Sequence, residues 1–362
     1  MGLADVWFVL VGVLFVGYAV FDGFDLGIGV LYPFLGTSER DKAVMRRAVG
    51  PVWDGNEVWL LTGGGALFAA FPAVYATVFS GFYIALTLLL FALIFRAASI
   101  EFRHSDPAWA KFWDGAFFVG SAVPALLFGV AVGNIVRGVP LTAGGEMIAG
   151  GGQPVFLGNL LAALNPFALV VGILGLVWII LHGATWLSLK ATGDLQKRAA
   201  KVRKTMLIAF AVMVVIATAA TAFLVPAAFA RVTGSIAGWA FVVVICVATI
   251  LAWVFASKDK DRQAWYSTAL AGAGLVGVWA ASIYPALVPA IASDGPLWSA
   301  GPVAQVAETS LTVANASSSP LTLTVMLIIA AIGVPLVLWY HFIVYRAYKG
   351  RIELPAEGES GY

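Results

Sequence analysis

The stretch Phe21-Asp22-Gly23-Phe24-Asp25-Leu26-Gly27 puts two carboxylates inside an apolar run that covers residues 6–35. A helix needs roughly 20 apolar residues to cross a bilayer, so both acids fall within a membrane span. A second pair opens the next run, in Trp53-Asp54-Gly55-Asn56-Glu57-Val58-Trp59. An ionised carboxylate at the centre of a membrane helix costs about 2.5–3.5 kcal/mol even on lenient insertion scales. Acids at such depth need a partner, a proton or a water path, and they mark where function is to be sought.

The rest of the chain agrees with a membrane protein. Of its 362 residues, 61% are hydrophobic and 11% charged, against about 45–50% and about 25% in soluble domains. The mean hydropathy is +0.94. The net charge of +2 points to no nucleic-acid partner, because the basic residues are spread over loops. The single cysteine, Cys246, lies in an apolar run, so neither a disulfide within the chain nor a cysteine-based metal site is expected. No Lys or Arg precedes the first run, which is also too long for a signal peptide, so it is expected to stay as the first span.

Nine segments are long and apolar enough to span, at approximately 6–35, 54–76, 78–102, 113–136, 166–189, 204–230, 236–257, 265–291 and 320–346. With the N-terminus outside, every Lys and Arg except Arg137 and Arg231 falls on the inner side. The positive-inside rule then gives N-out and C-in, which requires an odd number of spans. The chain divides into a front bundle (1–136) and a Gly-rich outer connection (137–165, with Gly144, Gly145, Gly150, Gly151 and Gly152). Back helices (166–350) and a cytoplasmic tail (351–362) follow. A second outer connection, 292–319, ends in Ala314-Asn315-Ala316-Ser317-Ser318-Ser319-Pro320. Both connections are expected to fold over the membrane face or to meet another subunit. The glycosylation match at Asn315 is three residues long and is read as accidental.

At ~1.5 Å per residue, Asp22 lies ~24 Å and Asp25 ~28 Å from the outer edge of the first span, in its cytoplasmic half. Their spacing of three puts them on nearby faces of one turn. Asp54 and Glu57 share this depth, with Arg96 and His182 in the same layer. The expected picture is a polar layer open to the cytoplasm, with Asp54, Glu57, Asp22 and Asp25 as a proton path. A quinone head group needs an aromatic wall and a donor, for which Trp53, Trp59 and Arg96 are candidates. Structural alternatives stand beside this reading. Asp54-x-x-Glu57 also fits a helix cap, Asp22 and Asp25 salt-bridging to Arg96, and Arg96 snorkelling to head groups. Glu101, Arg103 and Asp114 read as interfacial and solvated, and Thr62-Gly63-Gly64-Gly65-Ala66 as a close helix contact. Haem ligation requires an inward His or Met. His182, the one histidine well inside a span, reads as a packing residue, while His341 sits near a helix end and His104 in a loop.

Several segments resemble subunit II of the cytochrome bd quinol oxidases. They are Phe21 to Gly29, Gly50 to Leu60, Gly63 to Pro72, Phe79 to Tyr83, Phe95-Arg96, Gly129 to Asn134, Leu164 to Phe167 and Ala316 to Leu323. They run in order along most of the chain; residues 190–290 match mainly by hydropathy. The resemblance implies an all-α integral membrane protein of two four-helix bundles plus one peripheral helix, in the bacterial cytoplasmic (inner) membrane. It implies a partner, subunit I, that carries two b-type haems, one d-type haem and the quinol oxidation site, and it leaves room for a small accessory subunit. The complex oxidises quinol and reduces oxygen to water; this chain alone is not expected to be catalytic. The resemblance also implies that Asp54 helps conduct protons toward the haems, and that Trp53, Asp25 and Arg96 surround a structural quinone, or a lipid in its place. Glu57 stands where some relatives have Gln. On the residues alone, a secondary transporter and a purely structural scaffold remain the alternatives.

Overall fold

The computed structural model describes residues 2–105, 107–142, 144–147, 160–291 and 301–353. Among these, eight helices are long and apolar enough to cross a membrane. They are α1 (Leu3–Leu35), α5 (Tyr83–Phe102), α6 (Ala110–Arg137), α7 (Pro166–Lys190), α8 (Gly193–Leu224), α10 (Ile236–Ser257), α11 (Asp261–Ile283) and α12 (Pro320–Ala347). The expected span over 54–76 is instead a broken pair. Helix α3 (Trp53–Ala70) stops at Phe71, and α4 (Pro72–Gly81) leaves at 118°. Counted as one span, the pair is a ninth candidate.

Prolines explain where the expected boundaries fail. A proline cannot donate to the preceding turn, but it fits the first helical position well. Pro72 starts α4, and Pro226 ends α8 and starts α9 (Pro226–Thr233). The expected span 204–230 is therefore two helices. Pro285 follows the end of α11, so the expected helix 265–291 stops at Ile283 and its tail is strand β2 (Ala286–Ile291). Pro33, Pro124 and Pro335 lie inside helices that continue.

The spanning part is helical, but the outer connections add a three-stranded sheet in the order β1 (Val139–Pro140), β2, β3 (Gln305–Thr312). β1 pairs parallel with β2 at Val139↔Ala290, and β2 antiparallel with β3 at Ala290↔Val306. Gln305 ties the sheet to α6 by donating to the carbonyls of Val136 and Arg137, which α6 leaves open at its C-terminus. Asn315 is engaged within its own turn: its amide oxygen accepts from the Thr312 N–H and its nitrogen donates to the Ser310 carbonyl. Gly150, Gly151 and Gly152, and the tail from 354 onward, lie outside the described residues.

Helix α1 is central, packing against α3, α6, α7 and α11. Its crossing with α7 is so close that a Cβ on Gly27 would sit 2.2 Å from the Ile179 carbonyl oxygen. Of the glycines in the Thr62 to Ala66 run only Gly63 packs closely, against Phe15; Gly64 and Gly65 face open space. Helix α12 packs mainly on α1 and α3, and only Leu323 and His341 of it are fully buried.

Candidate functional site

The acids of the first two runs converge. Asp22 and Arg96 are each 0% exposed and form a two-pronged ion pair, with Arg96 Nη1 donating to Oδ2 at 3.0 Å and Nη2 to Oδ1 at 2.7 Å. Arg96 Nη2 also donates to Glu57 Oε1 at 2.8 Å. Arg96 therefore does not snorkel. Its charge is held inside by a planar fork that matches a carboxylate.

Asp25 is equally buried but has no ion-pair partner among the described residues. Its Oδ2 accepts one bond, 2.7 Å from Asn56 Nδ2, and its Oδ1 has no partner. Asn56 also donates to the Phe21 carbonyl at 3.0 Å and accepts from the Tyr345 hydroxyl at 2.9 Å. The sequence reading missed Asn56 and Tyr345. Asn56 sits between the two acids of its motif, and Tyr345 follows His341 by one helical turn on an otherwise apolar helix, a polar pair that was the available signal.

Asp54 and Glu57 do not act as a cap pair. The residue before α3 is Val52, with no capping side-chain bond, and Asp54 lies in the first turn, where a carboxylate suits the helix dipole. Its side chain is exposed on the surface of this chain, Trp53 beside it is half-buried, and Glu57 turns inward with 25% of its side chain exposed.

The histidines are committed elsewhere. His182 is 0% exposed, bonds Thr268 Oγ1 at 2.8 Å and the Val20 carbonyl at 3.0 Å, and stacks between Trp178 and Trp265. His341 Nε2 accepts from the Trp59 indole at 3.0 Å, and Nδ1 faces the Val337 carbonyl at 2.9 Å. His104 is exposed.

Toward the basic end, α2 (Glu39–Val49) is fastened by ion pairs. Lys42 and Arg103 both reach Asp114, at 2.7 and 2.9 Å, and Arg103 also pairs with Glu39. Arg103 and Asp114 are thus networked, not separately solvated as expected; Glu101 is exposed. Arg198 binds Asp41 at 2.8 Å. Burial pushes the Asp41 carboxyl up, but bonds from Thr37 and Ser38 and the Arg198 charge outweigh it and hold the group below its ordinary value. The bond to Asp114 pushes Lys42 up. Deeper in the back helices, Arg203 and Asp261 form a buried pair at 2.7 Å.

Other quoted motifs meet as structure. Asn165 caps α7 through the Ala168 N–H and donates to Asn134 Oδ1 at 2.9 Å. Ser318 closes the end of α3, its N–H donating to the Ala70 carbonyl and its hydroxyl to that of Ala69.

The model of the family described as cytochrome bd terminal oxidase subunit II matches residues 3–348. The chain is 37% identical to the probable cytochrome oxidase subunit 2 of Haemophilus influenzae, covering 97% of this chain and 95% of that one. It is 34% identical to the cytochrome bd-I ubiquinol oxidase subunit 2 of Escherichia coli K12, with the same coverage. With the cytochrome bd ubiquinol oxidase subunit 2 of Bacillus subtilis it shares 38%, over 97% of both chains. A chain in the structure of the bd oxidase from Geobacillus thermodenitrificans superposes with a TM-score of 0.75 over 96% of this chain and 99% of that one; at 13% identity this speaks to the fold. The chain belongs to the cytochrome bd terminal oxidase subunit II family.

Proposed function

We propose that this chain is the haem-free subunit of a quinol oxidase in the bacterial inner membrane, supporting the assembly of subunit I and supplying part of its proton-uptake path. Subunit I would hold the two b-type haems and the d-type haem, which supply the oxygen chemistry. In this reading the basic end faces the cytoplasm, which the charge pattern supports, and the helices form two four-helix groups with α12 outside. The observation that carries the proton reading is a charge count. Three carboxyl groups, the buried Asp22 and Asp25 and the partly exposed Glu57, surround one buried guanidinium. Ion pairing with Arg96 accounts for Asp22 and Glu57 but not for Asp25, whose single bond comes from a neutral amide. An acid with one neutral donor and a free oxygen has room for a proton. Glu57 links this cluster to the chain surface, and Asp54 stands one turn from it on the exposed face of α3, where subunit I would cover it.

The residues expected around a quinone do not fit one as placed. Three of the five N–H donors of Arg96 go to Asp22 and Glu57, its Nε–H is buried without a partner, and Asp25 accepts from Asn56 on one oxygen only. A cavity of about 60 Å³ lined by Arg47, Trp186, Lys190 and Tyr345, and an apolar groove of about 380 Å³ between Phe95 and Phe112, both lack Trp53, Asp25 and Arg96. Of the three, Trp53 alone reaches the surface, so we assign no quinone contact to Asp25 or Arg96.

Asp54→Asn tests the proton path. The variant is expected to assemble with normal haem content and to turn over more slowly. Full quinol oxidase activity at normal haem content would remove the proton role and leave a scaffold.

A further inference from the structure

We infer that Tyr345 is a positioning residue: through Asn56, its hydroxyl strengthens the bond that holds Oδ2 of Asp25 and leaves Oδ1 open to a proton. The inference rests on the proton reading above and deepens it. The Asn56 amide has two N–H donors and one carbonyl oxygen, and each is used. The Phe21 carbonyl can only accept, so the nitrogen must face it, at 3.0 Å. The second N–H then donates to Asp25 Oδ2 at 2.7 Å. The amide oxygen is left to Tyr345, which donates to it at 2.9 Å. With Oδ2 held as an acceptor, a proton on Asp25 has only Oδ1 to occupy, and Oδ1 is the oxygen without a partner. A flipped amide would turn its oxygen to Oδ2 and invite the proton there instead. The acceptor-only Phe21 carbonyl opposes that flip, and the Tyr345 hydroxyl, donating to the amide oxygen, polarises the amide toward Asp25.

The geometry around Tyr345 is fixed. Its ring stacks on His341 at 20° and packs on Phe21 and Trp186, and His341 is itself pinned by the Trp59 indole. These are the contacts by which the outermost helix reaches the buried layer. The titratable and charged groups acting on Asp25 are Asp22 on α1, Glu57 on α3, Arg96 on α5 and Tyr345 on α12, with Tyr18 of α1 beside Asp22; His182 of α7 and His341 of α12 bond elsewhere. None of them other than Tyr345 bonds the Asn56 amide.

The test uses the assembled oxidase with haem content checked first. It reads the pH profile of quinol-driven oxygen uptake and the carboxyl C=O band in infrared redox difference spectra. Tyr345→Phe should move the profile midpoint up by about 0.5 unit or more, on the scale of one neutral hydrogen bond, and should shift a carboxyl band that Asp25→Asn abolishes. In an Asn56→Ala background, adding Tyr345→Phe should change nothing further. A fluorinated tyrosine at 345, a stronger donor that keeps the fold, should move the midpoint down. His341→Phe cuts the other α12 bond and leaves Asn56 alone, so it should leave the midpoint in place. If Asp25→Asn moves profile and band while Tyr345→Phe and the fluorinated tyrosine move neither, the positioning role is wrong and the proton reading survives. An equal shift from His341→Phe would reassign the effect to α12 docking and overturn the inference. If Asp25→Asn itself moves nothing, Asp25 leaves the proton path.

Discussion

Replacing Arg96 by Leu removes three charge-assisted bonds at once, two to Asp22 and one to Glu57. The cost is uneven. Asp22 is 0% exposed and would keep no bonded oxygen, whereas Glu57, partly exposed, can turn to water. Removing one partner of a buried ion pair costs about 3–5 kcal/mol, because the other charge is stranded. At 1.4 kcal/mol per decade this is roughly a 140- to 4,000-fold loss in the folded-to-unfolded ratio. The same physics predicts that doing more damage costs less. In Asp22→Asn with Arg96→Gln no charge is stranded and the two amides can bond each other, so the double variant should be more stable than Arg96→Leu alone. Arg96→Lys keeps the charge but cannot present a fork to Asp22, and should fall between them. The measurement is the unfolding rate of the detergent-solubilised complex at one temperature, followed by tryptophan fluorescence and haem release. Were the double variant as unstable as Arg96→Leu, the stranded-charge argument would be refuted and the layer would owe its stability to shape alone.

Gly27→Ala should destabilise by roughly 1–3 kcal/mol, since the new Cβ meets the Ile179 backbone and cannot push it aside, while Gly65→Ala, facing open space, should be near neutral; thermal melts of the two decide. Asn165→Ala loses the α7 cap and leaves Asn134 short of a donor, for about 2–4 kcal/mol, and Asn165→Ser should recover the cap portion in the same melts. Because Asp41 is held below its unfolded value of about 3.9, its contribution to the α2 clamp is present above that pH and lost as pH falls through the folded value. Lys42 is raised, so its contribution is complete below about 10.4 and is lost as pH rises through its folded value. Protease sensitivity of α2 should therefore be flat between these limits, and Asp41→Asn should reduce the acid limb only, the remainder belonging to the pairs of Lys42 and Arg103 with Asp114 and Glu39.

Charge in an apolar run is a loud signal, which is why Asp22, Asp25, Glu57 and Arg96 could be read as one layer from spacing alone. Hydropathy also located the spans, but it averages over a window and so ran through Pro72, Pro226 and Pro285 as if they were ordinary apolar residues. Local context decides what a proline does: Pro33, Pro124 and Pro335 stay inside long helices, where neighbouring helices hold the chain on course. The small sheet was illegible for another reason. β1 has two residues and pairs with a strand about 150 positions later, a contact set by where α6 and α11 end. Tyr345 was hidden in the same way. The polar pair His341 and Tyr345 on an apolar helix marks a buried face, but not that the Tyr345 hydroxyl meets Asn56, 289 positions earlier.

Among the described residues, three ion-pair systems join more than two side chains, and their charge balance differs. At the basic end, Lys42 and Arg103 meet Asp114 and Glu39, two cations for two acids, partly open to water. In the back helices, Asp261 meets Arg203 and, at 3.5 Å, Arg351. Acids there do not outnumber cations, which is what a structural clamp needs. The front layer alone departs from this, with more carboxyls than cations in its driest place. Structural pairing would favour an Asn or Leu at position 25, since either avoids the desolvation cost of a buried acid with a neutral partner. On the proposed proton path, that cost and a fixed donor on one oxygen only are what a proton that comes and goes requires.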